Sequence, residues 1–200
     1  ELRVSKSDIE QQSVAKTSMM PDGLVASLRG QRDFLDLAAY VMELTQGGPD
    51  RAAQLAPSAA ELEPKDDSQD LDHAGIIRRL KKKDLEAGRK IYNGLCINCH
   101  GVDGNTPSLP TARAFGSQTL KFGADPYRMF RTLTFGNGLM APTSQLSPKE
   151  RYQVVHFIRE TFMKAANSGY ENVTDSYLEQ LPKGQKNGDF PAPGERDFGP

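Results

Sequence analysis

Cys96-Ile97-Asn98-Cys99-His100 constrains this chain more than any other stretch. Two cysteines three positions apart, followed directly by a histidine, form the attachment signature of c-type haem. The chemistry sets the spacing. Each thiol adds to one vinyl group of the porphyrin, and the histidine imidazole then lies under the iron as an axial ligand. Only near-neighbour cysteines on one turn reach both vinyls while leaving the histidine beneath the metal. These are the only two cysteines in 200 residues, so no disulfide framework or four-ligand zinc site competes for them. The rival is a thioredoxin-like redox pair, which wants the cysteines opening a helix after a buried strand. Here a helix-like run precedes them.

The rest of the composition narrows the setting. The length suits one or two small domains, and 18 glycines with 13 prolines against a hydrophobic fraction of 37% imply extensive loop. With 25 basic and 26 acidic residues the net charge is −1, which gives no global attraction to nucleic acid or to an anionic membrane. No apolar run approaches the roughly 18 residues of a membrane span, and no signal peptide is visible. The chain opens on Glu1-Leu2-Arg3-Val4 without an initiator methionine and reads as a piece of a longer protein. In bacteria CxxCH haem is attached outside the cytoplasm. An export signal is therefore expected upstream, and with it a periplasmic or otherwise exported location.

Four segments are expected, all helical where they are ordered. In residues 1–48, Phe34, Leu35, Leu37, Ala38, Val41, Met42 and Leu44 recur at helical spacing, and Gly47-Gly48-Pro49 ends that run. Residues 49–72 hold Asp50, Glu61, Glu63, Asp66, Asp67, Asp70 and Asp72 against Arg51 and Lys65 and read as an acidic linker. Residues 73–164 form the main domain. Asp84 is positioned to cap a helix that leads into the haem motif. Asp125-Pro126 starts another helix, with proline suited to its first position. Ser147-Pro148-Lys149-Glu150 starts the last, as a capping box with Tyr152, Val155, Phe157, Ile158 and Phe162 on its core face. Residues 165–200, rich in glycine, proline and polar residues, are expected to be an extended tail that wraps a surface or leaves the domain.

The order helix, CxxCH, loop, helix, glycine-rich loop with Met140-Ala141-Pro142, final helix resembles the class I c-type cytochromes over about residues 80–164. The resemblance implies an all-α domain in which first and last helices pack together and a methionine loop covers the far side of the haem. It makes His100 the proximal and Met140 the distal iron ligand. Read from the residues alone, Met140 sits between two helices on a loop shaped by glycine and proline, where a thioether is held rigidly towards a metal. Met129, beside Phe130 on a helix, reads as packing, and Met163 lies too near the end of the last helix. His156 reads as a packing or surface residue and His73, at a linker edge, as solvated. A His/Met iron is six-coordinate and offers no site to a substrate; the thioether favours ferrous iron, so such a centre stores and passes one electron. Phe115, Leu120, Phe122 and Phe130 are the candidates for its apolar shell, and Arg113 or the Tyr127-Arg128 pair for neutralising a propionate. The carbonyl of Pro107 or Pro110 is the expected acceptor for the His100 ring N–H.

Two further features bear on partners. Arg78, Arg79, Lys81, Lys82, Lys83, Arg89 and Lys90 precede the haem motif, and a solvated helix start is the plain reading of them. The functional one is a steering patch for an acidic electron partner, or a surface over which the acidic linker folds. Ser18-Met19-Met20-Pro21-Asp22-Gly23-Leu24, then Leu28 and the helix Gln31–Leu44, repeats the order Met140-Ala141-Pro142, Leu146, Pro148–Phe162. Residues 1–48 thus read as the C-terminal half of a second haem-domain-like unit, without a second CxxCH.

That segment, the stretches Phe122–Thr134, Gly136–Pro142 and Tyr152–Glu160, and the tail Tyr177–Gly184 also resemble modules of large multidomain haem-binding proteins of planctomycetes and verrucomicrobia. The resemblance implies a cytochrome module taking electrons from a redox partner such as a periplasmic dehydrogenase, alongside other chains or domains of the same protein. It makes Met20, which directly precedes Pro21, the candidate ligand of a second haem c. The expected function is therefore electron transfer by one covalent haem c. The alternatives are a haem enzyme or gas-binding site with an open distal position, and a scaffold in which haem only stabilises the fold.

Overall fold

The computed structural model describes residue 28, residues 30–63 and residues 66–189. Met19 and Met20 lie outside the described residues. The helices are α1 (Gln31–Leu55), α2 (Ala59–Leu62), α3 (His73–Arg79), α4 (Lys82–Ile91), α5 (Ile97–His100), α6 (Pro126–Phe135), α7 (Pro148–Ile158) and α8 (Asp175–Glu179). A π-helical turn, Tyr92–Cys96, joins α4 to α5, and another, Arg159–Met163, extends α7. The β pairing among the described residues consists of two isolated bridges, Leu71 with Lys186 and Asn137 with Met140. The fold is all-α, as the sequence leads one to expect. No helix among the described residues is long and apolar enough to cross a membrane.

The helix starts follow local chemistry. Asp125 accepts the Arg128 backbone N–H at 3.0 Å ahead of Pro126. Ser147 and Glu150 form the reciprocal capping box, with Glu150 Oε2 accepting the Ser147 N–H at 2.8 Å. Asp84 does not cap α4 from outside, because Lys81 holds the cap position and the Asp84 carboxylate accepts the Lys81 N–H at 2.9 Å. Its other oxygen accepts from Gln153 Nε2 at 2.9 Å, tying α4 to α7. Burial pushes this carboxyl up, but the hydrogen bonds from Gln153 and Lys81 hold it below its ordinary pKa.

The crossing of α4 and α7 organises the domain. Gly88 makes it possible: a Cβ there would lie 2.0 Å from the Gln153 carbonyl oxygen and 2.9 Å from Phe157 Cβ. On one side of the crossing, Tyr92, Phe115, Met129, Leu133, Val154, Val155, Phe157, Ile158 and Met163 form an apolar core. A second cluster, Leu71, Ile76, Ile77, Phe130, Tyr152, Leu178 and Leu181, packs the remaining faces of α6 and α7 against α3 and the C-terminal segment.

That second cluster changes the expected boundaries. The end of the acidic stretch is not a free linker: Ser68 and Leu71 are buried, and Asp67 binds the buried Arg151 with both oxygens, at 2.6 and 2.7 Å. Beyond residue 164 the chain folds back. It places Leu178 and Leu181 in the core, pairs Lys186 with Asp70 through their backbones, and joins Asp189 to Lys149. The Gly47-Gly48-Pro49 signal kinks α1 rather than ending it. Gly48 takes φ 62°, ψ −157°, Pro49 fits the first turn of the resumed helix, and Arg51 reaches back to Glu43 at 2.8 Å.

His73 is not solvated. It is 1% exposed, ringed by Tyr127, Phe130 and Tyr152, with Nδ1 2.7 Å from the Tyr152 hydroxyl. Burial lowers its pKa, and a hydrogen bond to the Ser68 carbonyl opposes that. With one ring N–H on that carbonyl, Nδ1 is the acceptor of the Tyr152 O–H, and protonating it breaks that bond. The unfolded chain binds this proton more readily, so the contribution of neutral His73 is complete above about 6.5 and is lost as pH falls towards the depressed folded value. His73→Gln is expected to flatten the acid side of the stability–pH curve by about one proton, measured by urea unfolding at several pH values.

Candidate haem site

The π-helical turn delivers the motif. It follows α4 without a break and carries Tyr92, fully buried, whose hydroxyl donates to the Gly101 carbonyl at 2.7 Å. Cys96 closes this turn, and Cys99 and His100 lie on α5 just after it. At Gly101 the chain turns sharply, with φ +78° and with the Thr106 carbonyl oxygen 2.2 Å from where a Cβ would sit. The Cys99 carbonyl then accepts the Ser108 N–H at 3.0 Å and anchors the following loop.

That loop orients His100. Its Nδ1 lies 3.1 Å from the Arg113 carbonyl, and its ring stacks on Phe115 with centroids 4.5 Å apart. The expected acceptors, the carbonyls of Pro107 and Pro110, are not used; the chain passes them and turns the Arg113 carbonyl to the ring instead. Burial lowers the His100 pKa, which favours the neutral ring, against the opposing hydrogen bond to the Arg113 carbonyl. With Nδ1–H donated to a carbonyl, Nε2 carries the lone pair available to a metal. The Cys96 thiol is pushed up to about 12, by burial first and by Cys99 second. Thioredoxin-type reactivity needs a depressed thiol pKa, so this environment disfavours that rival.

The methionine loop follows α6. α6 stops at Gly136, φ +76°, where a Cβ would lie 2.5 Å from the Met140 carbonyl oxygen. Asn137 and Met140 exchange backbone hydrogen bonds at 2.9 and 3.2 Å, and the Leu133 carbonyl accepts both the N–H and the hydroxyl of Thr143. This clasp sets Met140 against the apolar core that also receives Cys96. Met129 and Met163 are buried within that core as packing.

Of the expected shell, Phe115 and Leu120 line this core. Phe122 is 49% exposed, and Phe130 faces the second cluster, because α6 turns that side towards α3 and Tyr152. The shell is completed by Tyr92, Phe157 and Phe162, whose rings pack on one another. Gly104 makes room for Phe162, whose ring would be 2.5 Å from a Cβ there. Tyr92 stands four residues before Cys96, and that helical spacing was a usable sign. Arg113 and Arg128 are exposed. His156 is half-buried and lines a different cavity. Among the described residues, three of the seven residues of the basic run form ion pairs: Arg78 with Asp175 at 3.1 Å, Arg79 with Asp72 at 3.6 Å, and Arg89 with Glu86.

Residues 83–158 match the family model described as "Cytochrome C oxidase, cbb3-type, subunit III". The matched stretch begins within α4, contains the CxxCH motif and Met140, and ends at the close of α7. No curated protein and no solved structure matches the chain. The domain thus has an all-α, cytochrome c-like fold, and the match implies a covalently bound c-type haem and haem-based electron transfer. The residues present fit that group: two thiols on one turn, an imidazole presenting Nε2, and an apolar core beside both.

Proposed function

We propose that this chain transfers electrons through one haem c bound at Cys96 and Cys99, with His100 and Met140 as axial ligands, within an exported, periplasmic redox protein or complex. The observation that carries this reading is the packing of both Cys96 and Met140 against one apolar core. When bound, the haem supplies reversible one-electron chemistry at its iron. The chain's residues do the rest. His100 is held by the Arg113 carbonyl and by the Phe115 ring, so Nε2 keeps one direction. Met140 is clasped through Asn137, and its soft thioether favours the reduced state. Tyr92, Phe115, Leu120 and Phe162 exclude water from the site.

Replacing Met140 with alanine tests the assignment. The variant is expected to go from no carbon monoxide binding to stoichiometric binding, with loss of the low-spin ferric spectrum. Unchanged spectra would remove Met140 as a ligand. A periplasmic dehydrogenase is the proposed kind of electron donor.

A second observation supports a second unit in residues 1–48. Phe34–Glu43 aligns with Arg151–Glu160, placing Leu35, Leu37, Tyr40 and Val41 opposite Tyr152, Val154, Phe157 and Ile158. The α7 residues are all buried and those of α1 are 40–55% exposed, so α1 carries the core face of a final cytochrome helix without its cover. In this reading Met20 ligates a second haem completed by another segment or chain. It predicts a second haem in the assembled protein whose spectrum changes in Met20→Ala while that of the Cys96/Cys99 haem does not. A single haem, indifferent to that substitution, would contradict it.

A further inference from the structure

Among the described residues two arginines are buried, in different surroundings. Arg151, 1% exposed, has the carboxylate of Asp67 across its guanidinium. Arg159, 3% exposed, has no carboxylate within ion-pair distance among the described residues. Two of its five N–H donors go to the carbonyls of Ala124 and Glu171, and its guanidinium lies 4.6 Å over the Tyr170 ring. The nearest acids are already engaged. Glu160 gives one oxygen to Lys164 at 2.7 Å and the other to the Tyr170 hydroxyl at 2.8 Å. Asp125 caps α6 and accepts the Tyr177 hydroxyl at 2.8 Å. Both carboxylates act on Arg159 only at longer range, and a buried cation without a directly paired anion is costly.

Arg159 lines a cavity of about 370 Å³. Ile77, Leu80, Val155, Val173 and Leu178 give it apolar walls. Of the other ionic groups in its lining, Lys164 pairs with Glu160, and Arg78 pairs with Asp175 outside the lining, so Arg159 is left without a directly paired carboxylate. The volume lies within the range of small-molecule sites, and apolar walls beside a few polar groups suit an amphipathic ligand. We infer that this cavity binds a small organic monocarboxylate, its carboxylate on Arg159 and its apolar body against Ile77, Leu80, Val155 and Leu178. None of Cys96, Cys99, His100 and Met140 lines this cavity.

The test uses the haem-loaded full chain and three probes followed by isothermal titration: benzoate, which has both charge and body; benzyl alcohol, which lacks the charge; and inorganic phosphate, which lacks the body. Saturable benzoate binding is expected, at least about tenfold tighter than either control. It is expected to be lost in Arg159→Gln and also in Val173→Trp, which fills the mouth of the cavity from an exposed position in an irregular segment. Should Arg159→Gln fail to fold, Val173→Trp decides the question. No benzoate binding by the unmodified protein would overturn the inference. So would binding that survives Val173→Trp, or phosphate binding as tight as benzoate.

Discussion

Gly88→Ala is expected to be among the most damaging single-methyl changes in the domain. Alanine is the better helix former by about 1 kcal/mol, so propensity alone predicts stabilisation. The added Cβ would, however, lie 2.0 Å from a backbone oxygen of α7, which has no rotamer to move away. The two helices must part by more than an ångström, loosening every contact along the crossing and the core beside it. Overpacking of this kind costs about 3 kcal/mol or more and outweighs the propensity gain. The measurable result is a fall in thermal midpoint on the order of 10 °C. Gly94→Ala is the control: nothing lies within 4 Å of its Cβ position, and little or no loss is expected.

Asp67→Ala should cost as much by a different route. It strands the Arg151 guanidinium in the interior, and removing one partner of a buried pair typically costs about 3 to 5 kcal/mol. The remaining acceptors of Arg151 are the Leu146 carbonyl at 2.8 Å, the Thr134 hydroxyl at 3.2 Å and the Thr143 carbonyl at 3.4 Å, so the strain reaches both α6 and the end of the methionine loop. A fraction of the haem iron is then expected to accept carbon monoxide. The double variant Asp67→Ala/Arg151→Met removes both charges and should be more stable than Asp67→Ala alone, as a double-mutant cycle in urea would show. A double variant less stable than the single one would mean that Arg151 is held mainly by its carbonyl contacts.

The chain's regular features were legible because they obey local rules. CxxCH is a covalent constraint, and its fixed spacing survives any context. Pro126 and the Ser147–Glu150 box announce α6 and α7 because helix starts are set by a few adjacent residues. Long-range features left no such mark. Nothing in the acidic composition of residues 49–72 singles out Asp67 from its neighbours, although it is the residue that binds Arg151 across the fold. His73 looked like a linker residue because its burial depends on Tyr127, Phe130 and Tyr152, all distant in sequence. The acceptor for His100 was misplaced for a related reason: prolines mark where a loop bends, whereas the carbonyl that meets the ring is set by how the whole loop returns from Gly101 to Phe115. Gly88 carried no visible sign of its role, since a glycine inside a helix reads only as a weakness until the facing helix is in place.

The proposed centre is a closed, six-coordinate electron carrier built on Cys96, Cys99, His100 and Met140. Its most direct measurement is haem content per chain, with ferric and ferrous absorption spectra recorded before and after carbon monoxide. Covalent haem at the single CxxCH motif is expected, low-spin in both states and unchanged by carbon monoxide. A chain without covalent haem would contradict the attachment, and a ferrous spectrum shifted by carbon monoxide would contradict the closed distal side.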